Sequence, residues 1–280
     1  MSESRIRYEE PAPAIARIVL GRPETRNAQD TRLLYELNDA FDRAARDDNV
    51  KVIILAADGP DFSSGHDLRE DLDGAMDGYT PVGTWCGFTC DGAQAQMARE
   101  KEIYLGFSER WRNIPKPTIA EVQGKVIAGG LMLVWPCDII VAADDALFVD
   151  NTVAMGIAGA EFFNHPWEVG VRKAKEMLFT SGAVEAAAAL RLGMVNHVVP
   201  CGELASFTLD LARCIAEQPL FALRLAKEAV NAAQDAQGRV NAMQTSFALH
   251  QLCHTHNQLV GGAMMDLSFL GRQKQIAARW

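Results

Sequence analysis

Lys51-Val52-Ile53-Ile54-Leu55-Ala56-Ala57 is an unbroken apolar run, closed by Asp58-Gly59. A run this short, ended by a turn signal, fits a strand buried on both faces. Such a strand needs cover, and the residues before it supply some. Asp30 stands where a helix N-cap belongs, and Leu33, Leu34, Leu37, Phe41 and Ala44 follow at helical spacing. Earlier still, Ile15-Ala16-Arg17-Ile18-Val19-Leu20 reads as a strand that Gly21-Arg22-Pro23 turns. Strand, helix and strand over residues 15–57 predict an α/β fold.

The pattern breaks over residues 71–100, where Gly, Asp, Thr and Cys are frequent and periodicity is poor. That composition predicts a long, partly irregular insertion of the lid or binding-loop kind. Helical periodicity then returns until Pro115-Lys116-Pro117 stops it. Residues 118–122 and 125–127 read as short strands around Gly124. Ala128-Gly129-Gly130 leads into an apolar helix over 131–135, and residues 138–142 and 147–150 read as strands. Beyond Val169 the chain is helical in pattern: 171–179, 184–192, 204–217 and a long stretch from Leu220. The expected organisation is a core over 1–200 and a helical region over 201–280, whose alanine and leucine suit oligomerisation. There is no clear internal repeat.

The chain has 280 residues, 49% of them hydrophobic and 22% charged, with a formal net charge of −9. These values belong to a globular protein, and the acidic balance argues against nucleic-acid partners. Six dispersed cysteines without a CxxC pair point to reduced thiols and a cytoplasmic setting. No apolar stretch approaches the ~20 residues of a membrane span, and the polar start does not read as a signal peptide.

Two loops carry candidate chemistry. Phe62-Ser63-Ser64-Gly65-His66-Asp67-Leu68 follows the buried strand, and Gly124-Lys125-Val126-Ile127-Ala128-Gly129-Gly130 opens a helix. In each, glycine clears the approach to a backbone N–H, and a helix start adds free donors. Two such donors aimed at one oxygen stabilise an enolate or a tetrahedral oxyanion. Taken singly, each loop is equally a tight turn.

Together with their surroundings the loops resemble the crotonase superfamily, the enoyl-CoA hydratase/isomerase family. The matching pieces are Gly21-Arg22-Pro23 with Asn27-Ala28, residues 51–57, residues 62–68, Lys116-Pro117-Thr118-Ile119-Ala120, residues 124–130, Cys137-Asp138-Ile139 and residues 173–196. They run in order from about residue 12 to about residue 225. The resemblance implies an α/β spiral of ββα repeats, a helical C-terminal region, and trimers or hexamers. It implies an acyl-CoA thioester substrate whose carbonyl is held by the amides of His66 and Gly129, with Ser64, Gly65, Gly130, Met132 and Thr152 also expected at the substrate. It places the CoA moiety past Arg26, Asp67, Leu68 and Arg69. Coenzyme A enters as part of the substrate; no separate cofactor and no metal is implied.

The resemblance fails at two points. The family's hydratases use two glutamates; Met132 and Thr152 occupy those positions here, and neither residue shuttles a proton at neutral pH. Glu161 and Asp150 are the candidate replacement acids, Asp150 sharing a face with Thr152 if its strand continues. His66 and His165 are further candidates. His250 and His254 stand one helical turn apart, a spacing that suits two metal ligands but is expected to be a polar helix face, with His256 beside them. Enoyl-CoA hydration or isomerisation is the expected activity. A CoA-ester hydrolase, decarboxylase or carbon–carbon bond enzyme, or a non-catalytic acyl-CoA binder, fits the same loops.

Overall fold

The computed structural model describes residues 4–83 and 85–269. β1 (Ile6–Ala12), β2 (Ile15–Leu20), β3 (Val52–Ala57), β4 (Thr118–Val122), β6 (Ile139–Ala143) and β9 (His197–Val199) form one six-stranded sheet in the order β1-β2-β3-β4-β6-β9. β1 and β2 pair antiparallel, and every later neighbour is parallel. The apolar run quoted first is the third strand of this sheet, buried along its whole length. A second sheet holds β5 (Lys125–Ile127), β7 (Leu147–Val149) and β8 (Val184–Glu185). Successive strands are thus dealt alternately to the two sheets: β4 then β5, β6 then β7. That alternation is the stair of a spiral, as the resemblance implies.

Helices cover both faces. α1 (Thr31–Arg46) is capped by Asp30, whose carboxylate accepts from the Leu33 amide at 2.8 Å. At its other end Lys116, almost fully buried, donates to Ala44 O and Asp47 O at 2.8 and 2.6 Å. A cation on the last carbonyls of a helix satisfies orphan acceptors and opposes the negative dipole end. α8 (Leu204–Ala216) packs on the opposite face against Ile15, Val19, Ile54 and Val141.

The remaining helices are α2 (Ala93–Glu100), α3 (Phe107–Arg112), α4 (Leu131–Val134), α5 (His165–Val169), α6 (Val171–Thr180), α7 (Ala186–Leu192), α9 (Leu220–Ala236) and α10 (Arg239–Gly261). A π-helical turn, Lys101–Gly106, joins α2 to α3. α2 closes the expected insertion, so its irregular part ends before Ala93.

Three expectations differ from the structure. Residues 184 and 185 pair with β7 as β8 before the helix begins, because the register Phe148↔Val184 completes the second sheet. The polar N-terminal segment is an edge strand, one face of which needs no apolar residues. The strand expected over 147–150 ends at Val149, and Thr152 opens a 3-10 turn. Among the described residues no helix is long and apolar enough to cross a membrane.

Candidate active site

The first loop leaves β3 and is stitched to β5. Phe62 N donates to Gln123 O at 3.0 Å, Ser63 N to Lys125 O at 3.1 Å, and Ile127 N returns a bond to Ser63 O at 3.0 Å. On its other side Gln29 N donates to Gly65 O and Asp67 N to Gln29 O, both at 2.8 Å. The loop is therefore a rigid strip, and glycine is required where it meets the second loop. Gly65 has φ +87°, and a Cβ there would stand 2.7 Å from Ile127 O and 3.2 Å from Gly129 N. Ala128 takes φ +45°, a strained conformation for a residue with a side chain, and it re-aims the chain into the turn of Gly129 and Gly130. Asp67 and Gln29 are donors in these loop bonds; His66 and Gly129 are not.

Both loops open on a cavity of about 280 Å³. Ser64, His66, Asp67, Leu68, Gly129, Thr152 and Glu161, all expected at the site, line it. The His66 ring lies so close over Gly129 that a Cβ there would stand 2.6 Å from its Cε1. The ring stacks on Tyr104 with centroids 3.8 Å apart, and its Nε2 is 3.2 Å from Glu161 Oε2. Glu161 is 4% exposed. Burial alone would raise its carboxyl, but the imidazoles of His66 and His250 outweigh that and hold it below the ordinary value. It is therefore an anion at neutral pH.

Other expected residues stand elsewhere. Asp150 does not line the cavity. It is fully buried, and its oxygens accept from Thr152 N (2.9 Å), Thr152 Oγ1 (2.5 Å) and Ala160 N (3.1 Å), with His165 Nε2 at 2.7 Å. No lone pair is left to face a substrate, so its role as a replacement acid is corrected to a structural one, and His165 shares it. Met132 is buried in the hydrophobic core, away from the cavity wall. Gly130 is packed against Ser63 O and the Val126 side chain. The heads of Arg26 and Arg69 stand largely in solvent, near Asp61 and Asp67.

The sequence concealed the far wall. Arg99 and Glu100 from α2, Tyr104 from the π-helical turn, and His250 and His254 from α10 all line the cavity. His250 and His254 are buried, so the polar surface expected for that helix face is not there. His250 Nε2 lies 3.5 Å from both Glu161 and Glu100, and His254 Nε2 lies 3.3 Å from Glu100. Burial opposes a charge on His250, yet the Glu161 and Glu100 carboxylates push it up to about 9. Arg99 pairs with Glu70 at 3.0 Å, and Glu70 also accepts from the Thr31 amide. The one-turn histidine spacing marked the pair, but its acidic partner Glu100 is far away in sequence.

The enoyl-CoA hydratase/isomerase family model matches residues 10–267. The chain belongs to this family. It is an acyl-CoA-processing enzyme of the enoyl-CoA hydratase/isomerase type. It is 44% identical over 256 residues to "Putative enoyl-CoA hydratase EchA13" of Mycobacterium tuberculosis, covering 89% of this chain and 80% of that protein. The crystal structure of a "probable enoyl-CoA hydratase" from Mycobacterium smegmatis superposes with a TM-score of 0.85 at 47% identity, covering 94% of this chain and all of that one. An enoyl-CoA hydratase/isomerase from Xanthobacter autotrophicus Py2 gives a TM-score of 0.80 at 28% identity over 100% of this chain and 99% of that one. The fold delivers the two adjoining loops as one rigid unit.

Proposed function

We propose that this family member adds water to an enoyl-CoA thioester with Glu161 as its single proton carrier. The observation that carries the proposal is the position of Glu161: a buried, ionised carboxylate in the cavity, 3.2 Å from the residue that opens the oxyanion site. The other cavity acids are engaged elsewhere: Asp67 with Arg22, Glu70 with Arg99, and Glu100 with its two histidines.

The thioester carbonyl accepts from the amides of His66 and Gly129, which draws electron density from the β-carbon. Glu161 takes a proton from water as the water oxygen bonds to the β-carbon. The π electrons move onto the thioester oxygen as an enolate. The enolate then re-forms the carbonyl, and the α-carbon takes the proton back from Glu161. The sum is H and OH across the double bond, with the carboxylate regenerated. One carboxylate serves both half-steps, so Met132 and Thr152 need carry no proton. Leu68 and Leu72, at the cavity wall, offer apolar contact to the acyl chain. Arg26 and Arg69, both exposed, are the proposed partners of the CoA phosphates. Coenzyme A comes with the substrate, and no organic cofactor is called for. Assembly as a trimer or hexamer in the cytoplasm completes the proposal.

The test is to follow the enoyl-thioester absorbance with crotonyl-CoA, longer and branched enoyl-CoAs, and to identify the product. Loss of the band with a 3-hydroxyacyl product, carrying solvent deuterium at the α-carbon in heavy water, supports hydration. Migration of a 3-enoyl double bond without hydroxyl uptake moves the reaction to isomerisation at the same carboxylate. Tight CoA-ester binding with neither change overturns the proposal.

A further inference from the structure

α10 presents His250 and His254 one turn apart, and the last residue of α2, Glu100, meets them from across the cavity. Their ligand atoms all lie within 4.8 Å of one another, and all three residues are buried. We infer that Glu100, His250 and His254 form a binding site for one divalent ion of the zinc class.

The tautomers carry the first part of the case. His250 Nδ1 is 2.7 Å from Gly159 O, and His254 Nδ1 is 2.8 Å from Met264 O. A carbonyl only accepts, so each Nδ1 bears the proton. In a neutral ring each Nε2 is then a bare lone pair, and both lie close to the Glu100 carboxylate. Neither Nε2 makes a hydrogen bond. Bare nitrogen and carboxylate oxygen repel, so something positive belongs between them: a second proton on each ring, or one cation.

Distance favours the cation. The nitrogen–oxygen separations are 3.5 Å from His250 Nε2 to Glu100 Oε2 and 3.3 Å from His254 Nε2 to Glu100 Oε1. A charge-assisted N–H···O bond closes to about 2.7–2.9 Å. A tetrahedral ion with bonds of about 2.0–2.1 Å spaces its ligands at about 3.3–3.4 Å. Both contacts are longer than such a hydrogen bond, and the three ligand atoms, all within 4.8 Å of one another, surround a space that one ion can fill. The supports also match, because metal-bound imidazoles characteristically donate their other N–H to a carbonyl or carboxylate. Gln251 fixes the Glu100 carboxylate, its amide donating at 2.5 Å to Oε2, the oxygen that also faces His250, and leaves Oε1 beside His254. Two imidazole nitrogens and one carboxylate suit zinc-class ions and not magnesium or calcium, which prefer all-oxygen sets. All three residues line the cavity beside Glu161, whose Oε1 is 3.5 Å from His250 Nε2.

The site stands independently of the hydration proposal, because its test reads metal and not turnover. The full-length chain is stripped with a chelator, dialysed, and titrated with zinc by calorimetry and with cobalt(II) by visible absorption. The expected result is one ion per chain and the intense visible bands of tetrahedral cobalt. Glu100→Gln and His254→Ala are each expected to weaken binding by roughly 100-fold or more. His256→Ala, at an exposed position two residues on, should leave it unchanged. Glu100→Gln keeps the side-chain shape, so it decides the matter even if His254→Ala does not fold. Absence of stoichiometric binding overturns the inference and leaves a network of protonated histidines and carboxylates. Binding of equal strength in wild type and both ligand variants also overturns it, by locating the ion at surface cysteines or histidines.

Discussion

Glu161 shows what one position in a cavity does to a common side chain. The same carboxylate on the surface would be a solvated charge; here it is buried between His66 and His250, which keep it ionised. Glu161→Gln preserves volume and removes the proton carrier. Turnover should fall by about 1000-fold, within the range of general acid–base catalysis, while CoA-ester affinity stays within about threefold of wild type. Rate assays paired with a binding titration check this, and near-wild-type turnover removes Glu161 from the mechanism. Glu161 was singled out in the sequence as a candidate acid, and it stands in the cavity. Asp150 was misassigned because strand parity holds only while the strand continues, and β7 ends one residue earlier. His250 and His254 were legible as a pair but not as a buried pair. A helix pattern does not reveal that Glu100, in another helix, awaits them.

At the scale of elements, the two loops are the proposed thioester-binding unit. Each alone is a turn; the parallel bridge between Ser63 and Val126 locks them side by side. Gly129→Pro deletes one amide donor and should lower the rate by about 100- to 1000-fold, the usual cost of a lost oxyanion-hole donor. Gly129→Ala keeps the amide but drives a Cβ into the His66 ring, which must swing from its place beside Glu161. It should therefore also lower the rate, with its far-UV circular dichroism unchanged. A Gly129→Pro enzyme with wild-type rate would show that the second loop does not hold the thioester. The loops were readable because glycine and helix-start chemistry are local. Their contact with α2, the π-helical turn and α10 was not, because those pairings join segments far apart in sequence and depend on how the chain closes.

At the scale of the molecule, short apolar runs alternating with helix signals pointed to the α/β class, and the family resemblance added the spiral. Its closure depends on buried polar contacts that no periodicity marks. Asp150 is the clearest of these. It ties the end of β7 to the start of α5 through His165 and to the Ala160 amide, with no exposed atom. Burial works against its charge, but the bonds from His165 and Thr152 prevail and hold its carboxyl at about 2, below the ordinary 3.8. A carboxyl depressed in the folded state binds fewer protons there than in the unfolded chain. Its stabilising share is thus complete above about pH 4 and is lost as pH falls toward 2. That share is on the order of 2 kcal/mol, because each tenfold loss of proton affinity on folding is worth about 1.4 kcal/mol. Asp150→Asn should lower stability at pH 7 and flatten the acid limb between pH 4 and 2. Asp150→Ala, which leaves His165 buried without a partner, should cost more, about 3 kcal/mol at neutral pH. Urea denaturation of the three proteins across that pH range measures both effects. A wild-type acid limb retained in the Asp150→Asn variant would mean that other carboxylates govern acid unfolding, and that the join between β7 and α5 is held by packing alone.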